Sequence, residues 1–142
     1  MKTCNEILIE MDSVSQNESF ARVAVSAFVA ALDPPVNEVI DLRTAVSEAV
    51  TNAIIHGYEN KPGKVYIKMT LTQNSVTIAV KDHGTGIADI AQAREALYTS
   101  KPELERSGLG FSVMEGVMDD VAVHSEIGKG TEVMMTKTLT RP

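Results

Sequence analysis

Residues 46–57 read V-S-E-A-V-T-N-A-I-I-H-G, and this stretch decides the fold because it is the second half of a long helix predicted over Val36–His56. Glu48, Asn52 and His56 follow one another at intervals of four residues, a spacing that drifts by only ~40° per step around an α-helix. They form a polar ridge. Beside it, apolar residues at helical spacing predict a buried stripe made of Leu42, Val46, Ala49, Val50, Ala53 and Ile54.

The polar ridge carries residue types that suit a metal-bound phosphate. The side-chain oxygen of Asn52 is a neutral, hard ligand for Mg²⁺, which usually keeps several waters and takes its other ligands from phosphates. The Glu48 carboxylate, one turn earlier, can accept a proton from a water or hydroxyl held near that metal. The same spacing is also typical of a solvated helix face, so the pattern alone leaves both interpretations open.

Bulk composition limits the class of protein. A chain of 142 residues predicts one domain over 1–142, and its net charge of −6 without a Lys/Arg cluster argues against a nucleic-acid surface. No apolar run approaches the ~20 residues that span a bilayer, and the N-terminus lacks a signal-peptide pattern. Cys4 is the single cysteine, so neither an intrachain disulfide nor a zinc motif is available, and we expect a reducing, cytoplasmic location.

Periodicity along the chain predicts an α+β fold. Helices grouped around hairpin-type strands favour a two-layer α/β sandwich with a mixed, mainly antiparallel sheet. The predicted strands are Cys4–Met11, Lys64–Thr72, Ser75–Lys81, Val121–Ser125 and Thr131–Leu139, and the predicted helices besides the long one are Ser19–Leu32, Ala88–Leu97 and Gly108–Met118, with a polar segment over Tyr98–Ser107.

Three glycine motifs lie at the ends of these elements. D-H-G-T-G at Asp82–Gly86 leaves a strand, where an aspartate can accept a hydrogen bond from an exocyclic amine and glycine lets the backbone approach a ligand. G-L-G-F at Gly108–Phe111 opens a helix, where free N–H groups can cradle phosphate. G-K-G-T at Gly128–Thr131 lies in a hairpin. Each motif alone is equally an ordinary turn, helix cap or hairpin.

The order of the motifs carries a family resemblance. E-x-x-x-N-x-x-x-H-G, D-x-G-x-G, G-x-G-F and G-x-G-T follow one another as do the N, G1 and G2 boxes of the GHKL ATPase/kinase superfamily and its glycine–threonine turn, which implies a Bergerat-type ATP-binding fold. The stretches E-S-F-A-R-V-A-V-S-A-F-V-A-A-L-D-P, V-S-E-A-V-T-N-A-I-I-H-G-Y and S-K-P-E-L-E-R-S-G-L-G-F resemble the anti-sigma F factors of endospore-forming bacteria. The resemblance covers at least residues 17–131.

This resemblance implies a small homodimeric serine kinase of the forespore cytoplasm that uses ATP and Mg²⁺. It would hold sigma factor F inactive and phosphorylate its antagonist, the anti-anti-sigma factor, on a serine. The resemblance implies Glu48 as the general base, Asn52 as the Mg²⁺ ligand, and Arg22 as a contact for both protein partners. His56 matches the family pattern and is expected to fix the helix end.

The resemblance also implies a set of nucleotide contacts. Asp82 would read the adenine amino group with Thr131 beside it, and the adenine pocket would be shaped by Gly84, Gly86 and Ile87. An ATP lid would supply Lys101, Arg106 and Ser107, and the phosphates would be lined by Gly108, Leu109, Gly110 and Phe111.

Other functions share parts of this pattern. The general-stress anti-sigma B kinase would have the same chemistry and a different sigma partner, and an ATP-gated binding switch would lack transfer, against which the intact Glu48 argues. A sensor kinase would need a dimerisation helix pair with a phospho-accepting histidine, and a gyrase-type ATPase would need a second domain with a catalytic lysine. We expect a dimer contact at the first strand or the apolar first helix.

Overall fold

A computed structural model describes residues 3–87 and 110–141. Within those ranges the elements in chain order are β1 (Asn5–Asp12), α1 (Gln16–Val29), α2 (Val36–Thr51), β2 (Lys64–Leu71), β3 (Ser75–Asp82), α3 (Phe111–Val117), β4 (Asp120–Glu126) and β5 (Gly130–Thr138). A short 3₁₀ turn over Ala30–Leu32 extends α1, and a π-helical turn over Asn52–Gly57 extends α2.

The five strands form one sheet in the order β1-β2-β3-β5-β4, with the helices packed on one face. The two-layer α/β sandwich predicted from periodicity is therefore confirmed. The sheet was predicted to be mixed and mainly antiparallel, and all four strand pairings in the described residues are antiparallel. Hairpin-type connections between β2 and β3 and between β4 and β5 account for two of those pairings.

The core lies between α2 and the inner face of the sheet. The predicted stripe on α2 is confirmed, since Leu42, Val46 and Val50 are fully buried and Ile54 is only 6% exposed. Alternate residues of β2 and β3 face this stripe, as period-two patterning requires: Val65, Ile67, Met69, Leu71, Val76, Ile78 and Val80. Burying each large apolar side chain contributes about 1.5–3 kcal/mol, so this contact is the main stabilisation of the fold.

The ends of the helices differ from the sequence prediction. The first helix begins at Gln16, three residues before the predicted Ser19, and the helix predicted over Gly108–Met118 is described from Phe111 to Val117. The α-helical part of the long helix ends at Thr51 rather than His56, and the chain then widens so that the Tyr58 N–H donates to the Ala53 carbonyl at 2.9 Å. The predicted helix 88–97 and the polar segment 98–107 lie outside the described residues.

None of the helices in the described ranges, 3–87 and 110–141, has the length and apolar character needed to cross a membrane.

Candidate functional site

The widened turn at the end of α2 carries a buried amide with an unused acceptor. Asn52 is 5% exposed, and its Oδ1 atom is buried without a hydrogen-bond partner among the described residues. Leaving a buried acceptor unpaired costs about 1–3 kcal/mol, so such an atom in a native fold calls for an explanation. A π-type turn is itself frequent at functional sites because it redirects the side chains that follow it.

Asn52 lines a cavity of about 240 Å³ together with His56, Gly57, Asp82, Gly86, Ile87 and Thr131. The structure thus brings together residues from the predicted helix, the D-H-G-T-G turn and the last hairpin. These residues lie up to 79 positions apart in the chain, and the antiparallel register that places Asp82 opposite Thr131 joins two of the groups. A polar floor with an apolar wall is what a small planar ligand requires of a pocket.

Asp82 is the buried acid of this cavity. It is 3% exposed at the end of β3, and its Oδ1 atom accepts a hydrogen bond from the Gly84 N–H at 2.8 Å. Burial raises the pKa of the Asp82 carboxyl, and the backbone N–H groups of Gly84 and Thr131 offset part of that rise. A carboxylate has about four acceptor positions, so these two backbone donors leave Asp82 able to accept a further hydrogen bond from a ligand.

The D-H-G-T-G turn is docked directly on the end of α2. The Thr85 N–H donates to the Gly57 carbonyl at 2.9 Å, and a Cβ atom at Gly84 would lie 1.9 Å from that same carbonyl oxygen. A Cβ at Gly57 would lie 2.7 Å from the Asp82 carboxyl carbon. Both positions therefore require glycine, because the end of α2 and the D-H-G-T-G turn approach each other too closely for a Cβ atom. This contact explains why the two motifs occur together.

Two hydroxyls that the sequence analysis missed hold this turn in place. Ser125 Oγ accepts from the Ile87 N–H at 2.7 Å and lies 2.8 Å from Thr131 Oγ1, so it joins both walls of the cavity. The Tyr58 hydroxyl accepts from the His83 N–H at 2.8 Å and donates to the Lys64 carbonyl at 2.5 Å. The signal for Ser125 in the sequence was the predicted hairpin, whose first strand ends at Ser125 and whose second begins at Thr131. The register of the sheet pairs these two residues.

Glu48 lines a neighbouring groove of about 270 Å³ on the helical face, together with Arg22, Ile40, Arg43, Thr44 and Ser47. Glu48 and Asn52 are four residues apart on a helix and are therefore adjacent on its surface. Burial raises the pKa of the Glu48 carboxyl, and the negative charge of Glu18 raises it further. A carboxylate with a raised pKa is a better proton acceptor than an ordinary surface glutamate.

The start of α3 lies against this carboxylate. Gly110 has a left-handed φ of +68°, and a Cβ atom there would lie 2.2 Å from Glu48 Oε2. The second glycine of the G-L-G-F motif is thus needed both for backbone conformation and for space. Phe111, predicted to line phosphates, has its side chain in the core at 1% exposure, so only its backbone remains for a ligand.

The predicted residues Lys101, Arg106, Ser107, Gly108 and Leu109 lie outside the described residues. Arg22 reaches the groove of Glu48, but its guanidinium is engaged by its own helix, with Nη2 3.2 Å from Glu18 Oε2 and 3.1 Å from Ser19 Oγ. Most of the predicted site residues that the structure describes therefore line two adjoining depressions along α2. Those that line neither are Gly84, Gly110 and Phe111.

Comparison with known proteins defines the class of protein. The sequence profile described as the histidine kinase-like ATPase domain matches residues 13–137, and the chain has the fold of that class. Anti-sigma F factors lie close to it: those of Geobacillus sp. (strain WCH70) and Bacillus subtilis (strain 168) are 55% and 54% identical over 138 residues, covering 96% of this chain and 94% of each relative. The chain belongs to the anti-sigma F factor family, which confirms the resemblance predicted from its motifs.

Solved structures support the fold independently. The RsbU and RsbW domains of a Mycobacterium tuberculosis protein match 97% of this chain, which covers 33% of that longer chain, with a TM-score of 0.71 and 20% identity. The catalytic domain of the histidine kinase ThkA, in a nucleotide-free form, matches 94% of this chain and 97% of its own with a TM-score of 0.57 and 14% identity.

Proposed function

We propose that this chain is an anti-sigma factor that binds and inhibits the sporulation sigma factor F, and that it is also a kinase that phosphorylates the anti-anti-sigma antagonist on a serine with ATP. The sigma-binding part is supported by 55% identity to an anti-sigma F factor across 96% of the chain. The kinase part is supported by the juxtaposition on α2 of a carboxylate with a raised pKa and a buried, unpaired amide oxygen.

The nucleotide base fits the cavity that Asn52 and Asp82 share. Asp82 would accept a hydrogen bond from the adenine amino group, and Thr131, held by Ser125, would lie beside it. Gly86 and Ile87 line the cavity that would receive the planar ring. Gly84 would act indirectly, because its missing Cβ lets the turn that carries all three residues dock on the end of α2. The phosphates would then extend toward Gly110 and the lid residues that precede it.

Asn52 would hold the Mg²⁺ ion that accompanies ATP. In the described residues no group of three or more His, Cys, Asp or Glu side chains could hold a metal. An orphaned, buried amide oxygen fits a metal that takes most of its remaining ligands from phosphates and water. When bound, the ion would supply positive charge against the phosphate oxygens.

Glu48 would act on the substrate hydroxyl. Phosphoryl transfer needs mainly positioning and charge stabilisation, together with a group that accepts the proton of the attacking hydroxyl. The Glu48 carboxylate lies in a groove open on the helical face, with two arginines at its edge, so a serine presented by a second protein can reach it. Arg22 would contact that protein from α1, as it would the sigma factor.

Apolar residues left exposed on β1 and α1 fit a homodimer or a protein partner. Leu8 is 70% exposed, and Phe20 and Val23 are 54% and 60% exposed. Side chains of this size are commonly covered in an assembly when they cluster. Sedimentation velocity at micromolar concentration would measure whether the chain is a dimer, and a monomer throughout that range would contradict the dimer.

The first experiment is incubation with radiolabelled ATP and Mg²⁺, with and without purified anti-anti-sigma factor. We expect label on a serine of that partner, which mass spectrometry would locate, and no label with Glu48→Ala. Nucleotide binding without transfer would favour an ATP-gated sigma-binding switch. Capture assays against sigma factors F and B in parallel would separate the proposed function from that of a general-stress anti-sigma B kinase.

A further inference from the structure

Ser125 joins the two walls of the cavity that contains Asp82. It is half-buried near the end of β4, where the register of the sheet pairs it with Thr131 on β5. Its Oγ atom lies 2.7 Å from the Ile87 nitrogen, 2.8 Å from Thr131 Oγ1 and 3.1 Å from the Gly130 carbonyl oxygen. The described residues that line the cavity do not include Ser125, so its effect on a ligand passes through these neighbours.

These three contacts determine where the proton of the Ser125 hydroxyl lies. A serine hydroxyl donates one hydrogen bond and accepts up to two. The Ile87 N–H can only donate, and the Gly130 carbonyl can only accept. All three contacts are satisfied together only if Ser125 donates to Gly130 and accepts from both Ile87 and the Thr131 hydroxyl. Thr131 then directs its own proton at Ser125 and presents only lone pairs to the cavity.

This arrangement gives the polar floor of the cavity a single hydrogen-bonding character. Asp82 accepts from the backbone N–H groups of Gly84 and Thr131 and has acceptor positions left over. With its hydroxyl proton directed at Ser125, Thr131 is an acceptor as well. Asp82 and Thr131 are only 3% and 5% exposed, so a ligand that brought them a further acceptor would leave buried lone pairs without a donor. The floor therefore matches an amino group and disfavours a carbonyl oxygen.

We propose that Ser125 determines the base specificity of the nucleotide site: by accepting the Thr131 proton, it keeps Thr131 an acceptor and so favours adenine over a base that carries a carbonyl oxygen in place of the amino group. This inference rests on the ATP-binding role proposed above for the cavity. Ser125 does not touch the base and acts as a positioning residue through Thr131. Without Ser125, the Thr131 hydroxyl is free to turn and donate to a carbonyl oxygen, so the cavity would accept either base.

The test compares the binding of ATP and of ITP, the triphosphate of hypoxanthine, to the full-length protein by calorimetry. ITP carries a carbonyl oxygen in place of the adenine amino group and a proton on N1, and its ribose and phosphates are those of ATP. The N1 proton is present with every variant, so its contribution cancels when variants are compared. We expect the wild type to prefer ATP.

Two substitutions of Ser125 should change this preference to different extents. Ser125→Ala should lower the ratio of ATP affinity to ITP affinity by roughly tenfold, which is the effect of about one hydrogen bond. ATP binding itself should weaken only a few-fold, because Asp82 still accepts from the amino group. Ser125→Thr keeps a hydroxyl at the same position and should restore most of the preference.

Two controls separate specificity from a general loosening of the sheet. Thr77→Val removes a hydroxyl that lies 3.4 Å from Thr136 Oγ1, in another cross-strand pair that does not line the cavity, and it should leave the ratio unchanged. In a Thr131→Val background, Ser125→Ala should no longer change the ratio, because the effect passes through the Thr131 hydroxyl.

A merely structural role for Ser125 would weaken ATP and ITP binding by the same factor. An unchanged ratio in Ser125→Ala, with ATP still preferred by the wild type, would therefore overturn the inference and leave the proposed function standing. Equal binding of both nucleotides by the wild type would overturn the inference as well. If the wild type bound neither nucleotide, the proposed ATP site would fail, and the inference would fail with it.

Discussion

The two ends of α2 treat their polar groups in opposite ways. At the N-terminal end the Glu38 carboxylate accepts both the backbone N–H and the hydroxyl of Thr140, at 2.8 and 2.5 Å, and these bonds lower its pKa. Lys137 reaches the same end of the helix, where its Nζ lies 3.5 Å from Asp41 and donates to the Val117 carbonyl at 2.8 Å. The polar groups here are matched with one another.

At the C-terminal end the polar groups are left incompletely matched. Burial and the charge of Glu18 raise the pKa of Glu48, and the Oδ1 atom of Asn52 is buried without a partner in the described part of the chain. One helix therefore carries two glutamates whose environments move their pKa values apart, which is how acid–base roles are commonly separated from structural ones. The first end of α2 therefore stabilises the fold, and the second end is where the proposed function places phosphoryl transfer.

Exchanging each glutamate for its neutral isostere should give the largest contrast. Glu48→Gln is expected to lower the rate of phosphoryl transfer by at least 100-fold, because a positioned base typically contributes 10²–10⁴-fold, while ATP binding persists. Single-turnover transfer from radiolabelled ATP, with nucleotide affinity measured by calorimetry, would check both parts. Glu38→Gln, on the same helix, should transfer at the wild-type rate. Equal transfer rates for the two variants would contradict a catalytic role for Glu48.

Asn52→Ala should give the next largest effect. Removing the unpaired oxygen is expected to weaken ATP binding at least tenfold when Mg²⁺ is present, and much less when the metal is chelated, because the lost interaction passes through the metal. Calorimetric titrations with and without Mg²⁺ would measure the difference. Ser125→Ala serves as a control, since it loosens the cavity wall at Thr131 and should weaken binding to the same extent in both conditions. Equal losses for Asn52→Ala in the two conditions would remove Asn52 from the metal site.

Much of the fold follows from local sequence. The apolar stripe on α2 and the alternation in β2 and β3 fix which faces are buried, and those patterns report packing directly. A mainly antiparallel sheet was predicted correctly, but the direction of every single strand could not be predicted, because it depends on pairing between distant segments. The end of the α-helix was missed for a related reason: the widened turn at Asn52 is set by the docking of the D-H-G-T-G turn on Gly57, a long-range contact.

Only those site residues that belong to a sequence motif were predicted. Glu48, Asn52, Asp82 and Thr131 lie in recognisable patterns, and the structure places them in two adjoining depressions. Ser125 belongs to no motif, and it acts through Ile87 and Thr131 on other elements. Positioning residues of this kind are chosen by tertiary contact, so a single sequence gives little sign of them.

The paired polar groups at the N-terminal end of α2 should stabilise the fold more than those at its C-terminal end. Lys137→Met keeps most of the apolar stem and removes the ammonium, leaving Asp41 and the Val117 carbonyl without this donor. We expect the free energy of unfolding to fall by about 1–2 kcal/mol. The loss is appreciable because the Lys137 head is largely buried, and it is limited because Asp41 is partly exposed to water. Urea denaturation would measure it. Lys68→Met, which removes an exposed pair with Glu6, should change the free energy by less than about 0.5 kcal/mol.

The smallest predicted effect is a change in Tm, and it should have opposite signs for the two glutamates of α2. The pKa of Glu38 is lowered by folding, so its contribution to stability is present above the ordinary glutamate value near pH 4.5 and is lost as the pH falls through the folded value. The pKa of Glu48 is raised, so its ionised form costs stability at neutral pH, and that cost disappears as the pH falls to about 4.5. At pH 7, Glu38→Gln should therefore lower Tm and Glu48→Gln should raise it.

Each shift should amount to only one or two degrees, because both groups are partly solvated and 1 kcal/mol moves the Tm of a chain of this size by roughly 2–4 °C. Calorimetric scans of the two variants and the wild type from pH 4 to pH 8 would show the curves separating in opposite directions as the pH rises. A loss of Tm in Glu48→Gln equal to that in Glu38→Gln would mean that Glu48 stabilises the fold. The C-terminal end of α2 would then be a second structural anchor, and the raised pKa that favours Glu48 as the base would lose its support.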